Sequence, residues 1–110
     1  MTILEDVLLE EYVRNLRIEQ LLKDEIDSLP KGSLQKKQIN GKEYFYLQYR
    51  SGDTVKSKYI KTSDCESITN QLEKRKSDIR ALKEIQKTKG QIEKALGKDF
   101  INEHTAEGIY

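Results

Sequence analysis

Six side chains in the middle of this 110-residue sequence have types suited to recognition chemistry: Lys37, Tyr44, Tyr46, Arg50, Lys56 and Lys58. Ammonium and guanidinium groups neutralise phosphates, and phenol rings stack on bases or pack on sugars. Cations interleaved with tyrosines therefore suit nucleic acid. A β-sheet or ribbon presenting them can enter a major groove. The same composition has a plainer reading, because strands favour tyrosine and edge lysines protect against aggregation.

Other chemistries find little material. The chain has one histidine, His104, and one cysteine, Cys65. A zinc site needs several clustered ligands, and a nucleophile needs a base beside it. Cys65 falls on a helical apolar seam as a small buried residue. The glycines sit in turns and late in a helix, not in a phosphate-binding loop. The expectation is a non-enzymatic protein with no metal, no cofactor and no small-molecule substrate.

Charge is distributed unevenly. Residues 1–29 carry three basic side chains against eight acids, residues 30–61 carry eight against two, and residues 62–110 carry nine of each. The electrostatic footprint thus belongs to the middle segment. The acids of residues 5–27 read as a solvated helix face, and they would repel DNA if they lay beside the binding face.

The elements that position these residues follow from periodicity. Over about 3–29, apolar residues recur three or four apart, which predicts a helix. Thr2 and Glu5 have capping-box spacing, and Pro30 stops the helix. The period then drops to two. Ser33 to Ile39 is a strand, Asn40-Gly41 a tight hairpin turn, Lys42 to Arg50 the central strand, and Thr54 to Ile60 the third. From about 64 a second helix is predicted, again behind a capping-box match at Ser63 and Glu66. Its apolar positions Cys65, Ile68, Leu72, Ile79 and Leu82 form a heptad seam, broken only at Arg75. Gly90 predicts a bend, break or fraying within 64–102, and residues 103–110 read as a mobile tail.

These elements define a single α+β domain: an N-terminal helix, a three-stranded antiparallel β-meander, and a long C-terminal helix. The last helix packs antiparallel to the first as a coiled-coil-like hairpin, with the meander capping one end. The last helix is expected to overhang, exposing Ile92, Leu96 and Phe100. Together with Leu72, Ile79 and Leu82 these positions form the candidate surface for a protein partner or a homodimer. An inhibitor, antitoxin or adaptor docking through this seam is the alternative to nucleic-acid binding, and a dimer presenting two basic sheets would combine both.

Pairing parity decides which strand residues share a face. The Asn40-Gly41 turn places Leu34 opposite Leu47 and Lys37 opposite Tyr44. At Ser51-Gly52-Asp53 a three-residue loop sorts apolar from polar best. It gathers Lys37, Tyr44, Tyr46, Arg50, Lys56 and Lys58 on one face. A two- or four-residue loop would instead carry Lys56 and Lys58 over to Leu47 and Phe45.

The stretch from Leu29 to Ile60, LPKGSLQKKQINGKEYFYLQYRSGDTVKSKYI, resembles an uncharacterised family of small bacterial and mobile-element proteins. The likeness spans about residues 20–85 and includes the basic stretch Glu73-Lys74-Arg75-Lys76. The hairpin and following helix are also similar to the arm-binding domain of phage and transposon integrases, which lays a three-stranded sheet in the major groove. That resemblance implies that Tyr44, Tyr46, Arg50, Lys56 and Lys58 make the contacts. The long acidic first helix and the lack of a catalytic recombinase domain depart from it, implying an accessory or regulatory DNA-binding role. No apolar run approaches the roughly 18 residues of a membrane span, and no signal-peptide pattern opens the chain. Both observations, together with the lone cysteine, point to the cytoplasm.

Overall fold

The chain begins with the predicted capping box, in the computed structural model that describes residues 1–105. The Thr2 backbone N–H donates to Glu5 Oε1 at 2.8 Å, and the Glu5 N–H donates to Thr2 Oγ1 at 3.1 Å. Two orphan donors at the helix start are thereby satisfied. Helix α1 then runs Ile3–Ser28, and its end before Leu29-Pro30 is the proline effect expected. Strands β1 (Ser33–Ile39), β2 (Lys42–Ser51) and β3 (Thr54–Ile60) follow. A 3-10 turn at Thr62–Asp64 leads into α2, Cys65–Leu96, and α3 spans Lys98–Thr105. The 3-10 turn starts at Lys61 without a side-chain cap. The described residues divide into two compact units, one of residues 26–77 and one joining residues 1–25 to the chain from Asp78 onward.

The first of these, the sheet unit, is an antiparallel meander in the order β1-β2-β3. Asn40 and Gly41 both take positive φ, 52° and 79°, as a type I′ turn requires. The register follows, with Leu34 opposite Leu47 and Lys37 opposite Tyr44. The second turn corrects the three-residue expectation. Ser51 pairs with Thr54, so Gly52-Asp53 alone form the loop. Gly52 has φ 62° while Asp53 keeps a negative φ. That is the pattern of a type II′ turn, with glycine at its first central position. Moving the pairing by one residue turns over the whole of β3. Ile60 now lies opposite Phe45, Lys58 opposite Leu47 and Lys56 opposite Tyr49, while Tyr59 lies opposite Tyr46.

One sheet face packs on α2. Leu47, Ile60 and Leu72 are buried together, with Leu34, Phe45, Tyr49, Cys65 and Ile68 around them. The seam residues of the first turns of α2 thus serve this core. Gly32 enters the sheet with φ 115°, and a Cβ there would run into the carbonyl oxygen of Gln48. Glycine is required here both for its backbone angle and for the close approach.

The second, the helix unit, packs α1 against the later part of α2 and against α3. Tyr12, Ile92 and Ile101 form its buried centre, with Leu8, Leu16 and Leu96 packed against them. Lys89 Nζ binds both carboxylate oxygens of Glu19, at 2.9 and 3.2 Å. The order of these partners, 19 with 89 and 12 with 92, makes the two helices antiparallel. The expected break at Gly90 does not occur, because α2 continues to Leu96. The chain breaks at Gly97, with φ 86°, and α3 turns back to bring Ile101 onto Tyr12. Ile92 is therefore buried and Leu96 half-buried, not exposed on an overhang as expected. Phe100 is half-buried and stacks on His104 at 4.2 Å. Of the expected tail, residues 103–105 belong to α3, and residues 106–110 lie outside the described residues.

Candidate nucleic-acid interface

The face of the sheet turned away from α2 is built by alternation along three strands. Strand β2 contributes Tyr44, Tyr46, Gln48 and Arg50. Pairing places Lys37 beside Tyr44, Gln35 and Tyr59 on either side of Tyr46, and Ser33 and Ser57 on either side of Gln48. The face therefore carries the phenols with Lys37 and Lys42 at one end, amide and hydroxyl groups in the middle, and Arg50 opposite Val55 at the other.

The tyrosines form one cluster. Tyr46 and Tyr59 meet edge to face with ring centroids 5.8 Å apart, and Tyr44 and Tyr59 lie tilted at 6.4 Å. Both separations suit aromatic pairs. The Lys37 Nζ stands 4.9 Å over the Tyr46 ring, within cation–π range. Tyr44 and Tyr46 are half-buried by their neighbours, whereas Tyr59 is 54% exposed. The cluster thus has an open ring at its rim and supported rings beneath. Gln35 Nε2 donates to Ser33 Oγ at 2.9 Å, ordering part of the polar row.

Of the six residues nominated from sequence, the structure brings together Lys37, Tyr44, Tyr46 and Arg50. Lys56 and Lys58 stand on the opposite face, because the two-residue turn reverses β3. On that side Lys36 pairs with Glu43 at 2.8 Å. Tyr59, which the three-residue loop assigned to the helix side, instead completes the aromatic cluster. The dipeptide Gly52-Asp53 itself fits a two-residue hairpin and is the sequence signal for this register.

The nominated partner seam is dispersed. Leu72 is buried in the sheet unit, Ile92 is buried in the helix unit, and Ile79, Leu82, Leu96 and Phe100 are half-buried. The exposed apolar residues of α1 are others: Ile3, Leu4, Val7 and Leu21. His104 Nδ1 lies 2.8 Å from the Phe100 carbonyl oxygen. The Cys65 thiol donates to the Lys61 carbonyl at 3.4 Å. Among the described residues, no group of three or more His, Cys, Asp or Glu is placed to hold a metal ion, and no helix is long and apolar enough to cross a membrane.

Fold and face together define an α+β, helix–meander–helix protein whose sheet turns a phenolic and cationic surface away from its covering helix. The chain belongs to a family described as Domain of unknown function (DUF6788), which matches residues 9–68. The match begins within α1, takes in the whole meander and ends at Ile68 in α2. No curated protein and no solved structure matches the chain.

Proposed function

We propose that this chain is a non-enzymatic nucleic-acid-binding protein that uses the outer face of its sheet. The observation that carries the reading is the Tyr44–Tyr46–Tyr59 cluster with Lys37 over Tyr46, on the side opposite α2. Lys42 and Arg50 supply further cations on that face. With Lys56 and Lys58 on the other side, the balance moves from phosphate neutralisation toward stacking. Stacking favours single strands, whose bases are free to lie on a ring. An accessory or regulatory role in mobile-element biology, in the cytoplasm, is part of the same proposal, although Lys56 and Lys58 do not join the contact set that the integrase resemblance implies.

Fluorescence anisotropy with short labelled strands and duplexes at low salt tests this. A pyrimidine-rich single strand should bind more tightly than a duplex of the same sequence. Two to three phosphate contacts give a salt dependence of log K with slope about −2 for a single strand. Lys37→Ala and Arg50→Ala should each weaken binding similarly for all sequences and flatten that slope. Tyr59→Ala should lower affinity with the slope unchanged. No retention of either strand form at low salt would refute the reading.

A protein-partner role has its own observation. Ile3, Leu4 and Val7 crowd the first turns of α1, with Ile3 84% exposed. If this stripe docks a partner or a second copy, Val7→Asp should abolish assembly seen by light scattering and leave nucleic-acid affinity intact.

A further inference from the structure

The other side of the sheet unit carries a groove. A groove of about 510 Å³ opens between the end of α1, the link through Leu29 and Pro30, strands β2 and β3, and α2. Its size falls within the range of roughly 300–1,000 Å³ typical of small-ligand sites. Leu47 and Tyr49 supply an apolar and aromatic wall. Lys31, Lys58 and Arg75 line it together with one carboxylate, Asp27. None of these four makes an ion pair among the described residues.

Two of the cations depart from the local apolar pattern. Arg75 interrupts the α2 seam that runs Cys65, Ile68, Leu72, Ile79, Leu82, and it is half-buried. Lys58 lies opposite the buried Leu47 on the covered face of the sheet. Departures from the local folding pattern concentrate at functional sites. Here two independent departures meet in one groove.

We propose that this groove binds a phosphate monoester carried on a small planar group, of the kind a nucleoside monophosphate presents. The lining carries a surplus of two positive charges, and a phosphate monoester carries about −1.5 to −2 at neutral pH. The planar guanidinium of Arg75 can bind two phosphate oxygens at once. Lys31 and Lys58 add charge from the rim, and Tyr49 offers a ring against which a base can lie. The site is separate from the outer face, so it stands or falls independently of nucleic-acid binding there.

Isothermal titration of the full chain at low salt with adenosine monophosphate, inorganic phosphate and adenosine tests the proposal. The monophosphate should bind most tightly, inorganic phosphate more weakly, and adenosine least. Arg75→Gln should weaken the monophosphate at least about tenfold, the effect of losing a charge-assisted hydrogen-bond donor. Lys58→Gln, at an exposed residue, should weaken it severalfold and covers the case in which the Arg75 variant does not fold. Lys37→Ala on the outer face should leave it unchanged. Short strands with a 5′-phosphate or a 5′-hydroxyl identify the source. Preference for the phosphorylated end, above the free mononucleotide, supports the same site with a strand terminus as its ligand. Monophosphate binding no tighter than adenosine, or undiminished in both groove variants, would overturn it.

Discussion

Asn15, Glu19 and Asp78 are all buried in the helix unit, whereas Ile39, Val55 and Tyr59 of the sheet unit stand in solvent. Both units expose aliphatic chains, Ile3, Leu4 and Val7 among them, but the polar groups that would be cheaper outside are enclosed in the helix unit, and the exposed aromatic ring belongs to the sheet unit. The buried Glu19–Lys89 pair constrains which turns of α1 and α2 can meet, since a slipped pairing strands both charges. The exposed Tyr59 constrains nothing in the interior and lends itself to an external ligand. Polarity is inverted in both units, toward pairing specificity in one and, on the proposed reading, toward recognition in the other.

The comparison can be broken at four points. The largest expected effect is Gly32→Ala in the sheet unit. A positive φ and a collision with the Gln48 carbonyl together should cost about 3 kcal/mol, read as a lower denaturant midpoint. Next is Leu72→Ala, which empties part of a small core and should cost about 2–3 kcal/mol by the same measurement.

In the helix unit, Glu19→Ala should cost about 1–3 kcal/mol, because Lys89 loses its partner in a mostly covered site. Replacing both, as Glu19→Leu with Lys89→Met, should be neutral or stabilising if the pair serves specificity more than stability. The pair also sets a pH window. The hydrogen bond from Lys89 holds the Glu19 carboxyl below its ordinary 4.5, so its contribution is present above that pH and is lost as pH falls through the folded value. The same bond raises Lys89 above 10.5, so its contribution is present below that pH and is lost as pH rises through its folded value. Thermal melts of Glu19→Gln should show a flatter acid limb than the parent chain.

The smallest stability effect belongs to the exposed face. Lys37→Ala removes a cation–π contact worth about 0.5 kcal/mol, yet it should weaken nucleic-acid binding measurably. A large stability loss there would mean that the outer face is structural and would remove the contrast between the two units.

Much of this layout was legible in the residues. Thr2 with Glu5, Pro30 and Asn40-Gly41 are local signals whose geometry depends on few neighbours. They placed α1, the first hairpin and the shared face of Lys37, Tyr44, Tyr46 and Arg50. The second turn was not legible, because either parity puts apolar residues inward: Val55 and Tyr59 in one, Ile60 in the other. Burial of Ile60 with Leu72 decides it in the folded chain, and this is a tertiary effect. The two helical glycines differ for a similar reason. Gly90 lies between Lys89, held by Glu19, and the buried Ile92, so the helix absorbs its cost of about 1 kcal/mol. Gly97 follows the last packed turn and is free to adopt the left-handed angle that redirects α3. That redirection covers Ile92 and Leu96, whose exposure the seam alone suggested.

The Gly52-Asp53 reversal also bears on how such chains can diverge. A one-residue slip of the pairing, from Ser51 opposite Thr54 to Arg50 opposite Thr54, would bring Lys56 and Lys58 to the solvent side in place of Val55 and Tyr59. Such a change alters no strand residue, yet it replaces a ring-rich surface with an ammonium-rich one. Within the family, the partner taken by Thr54 is therefore a character in its own right, alongside the identities of the side chains that it sorts.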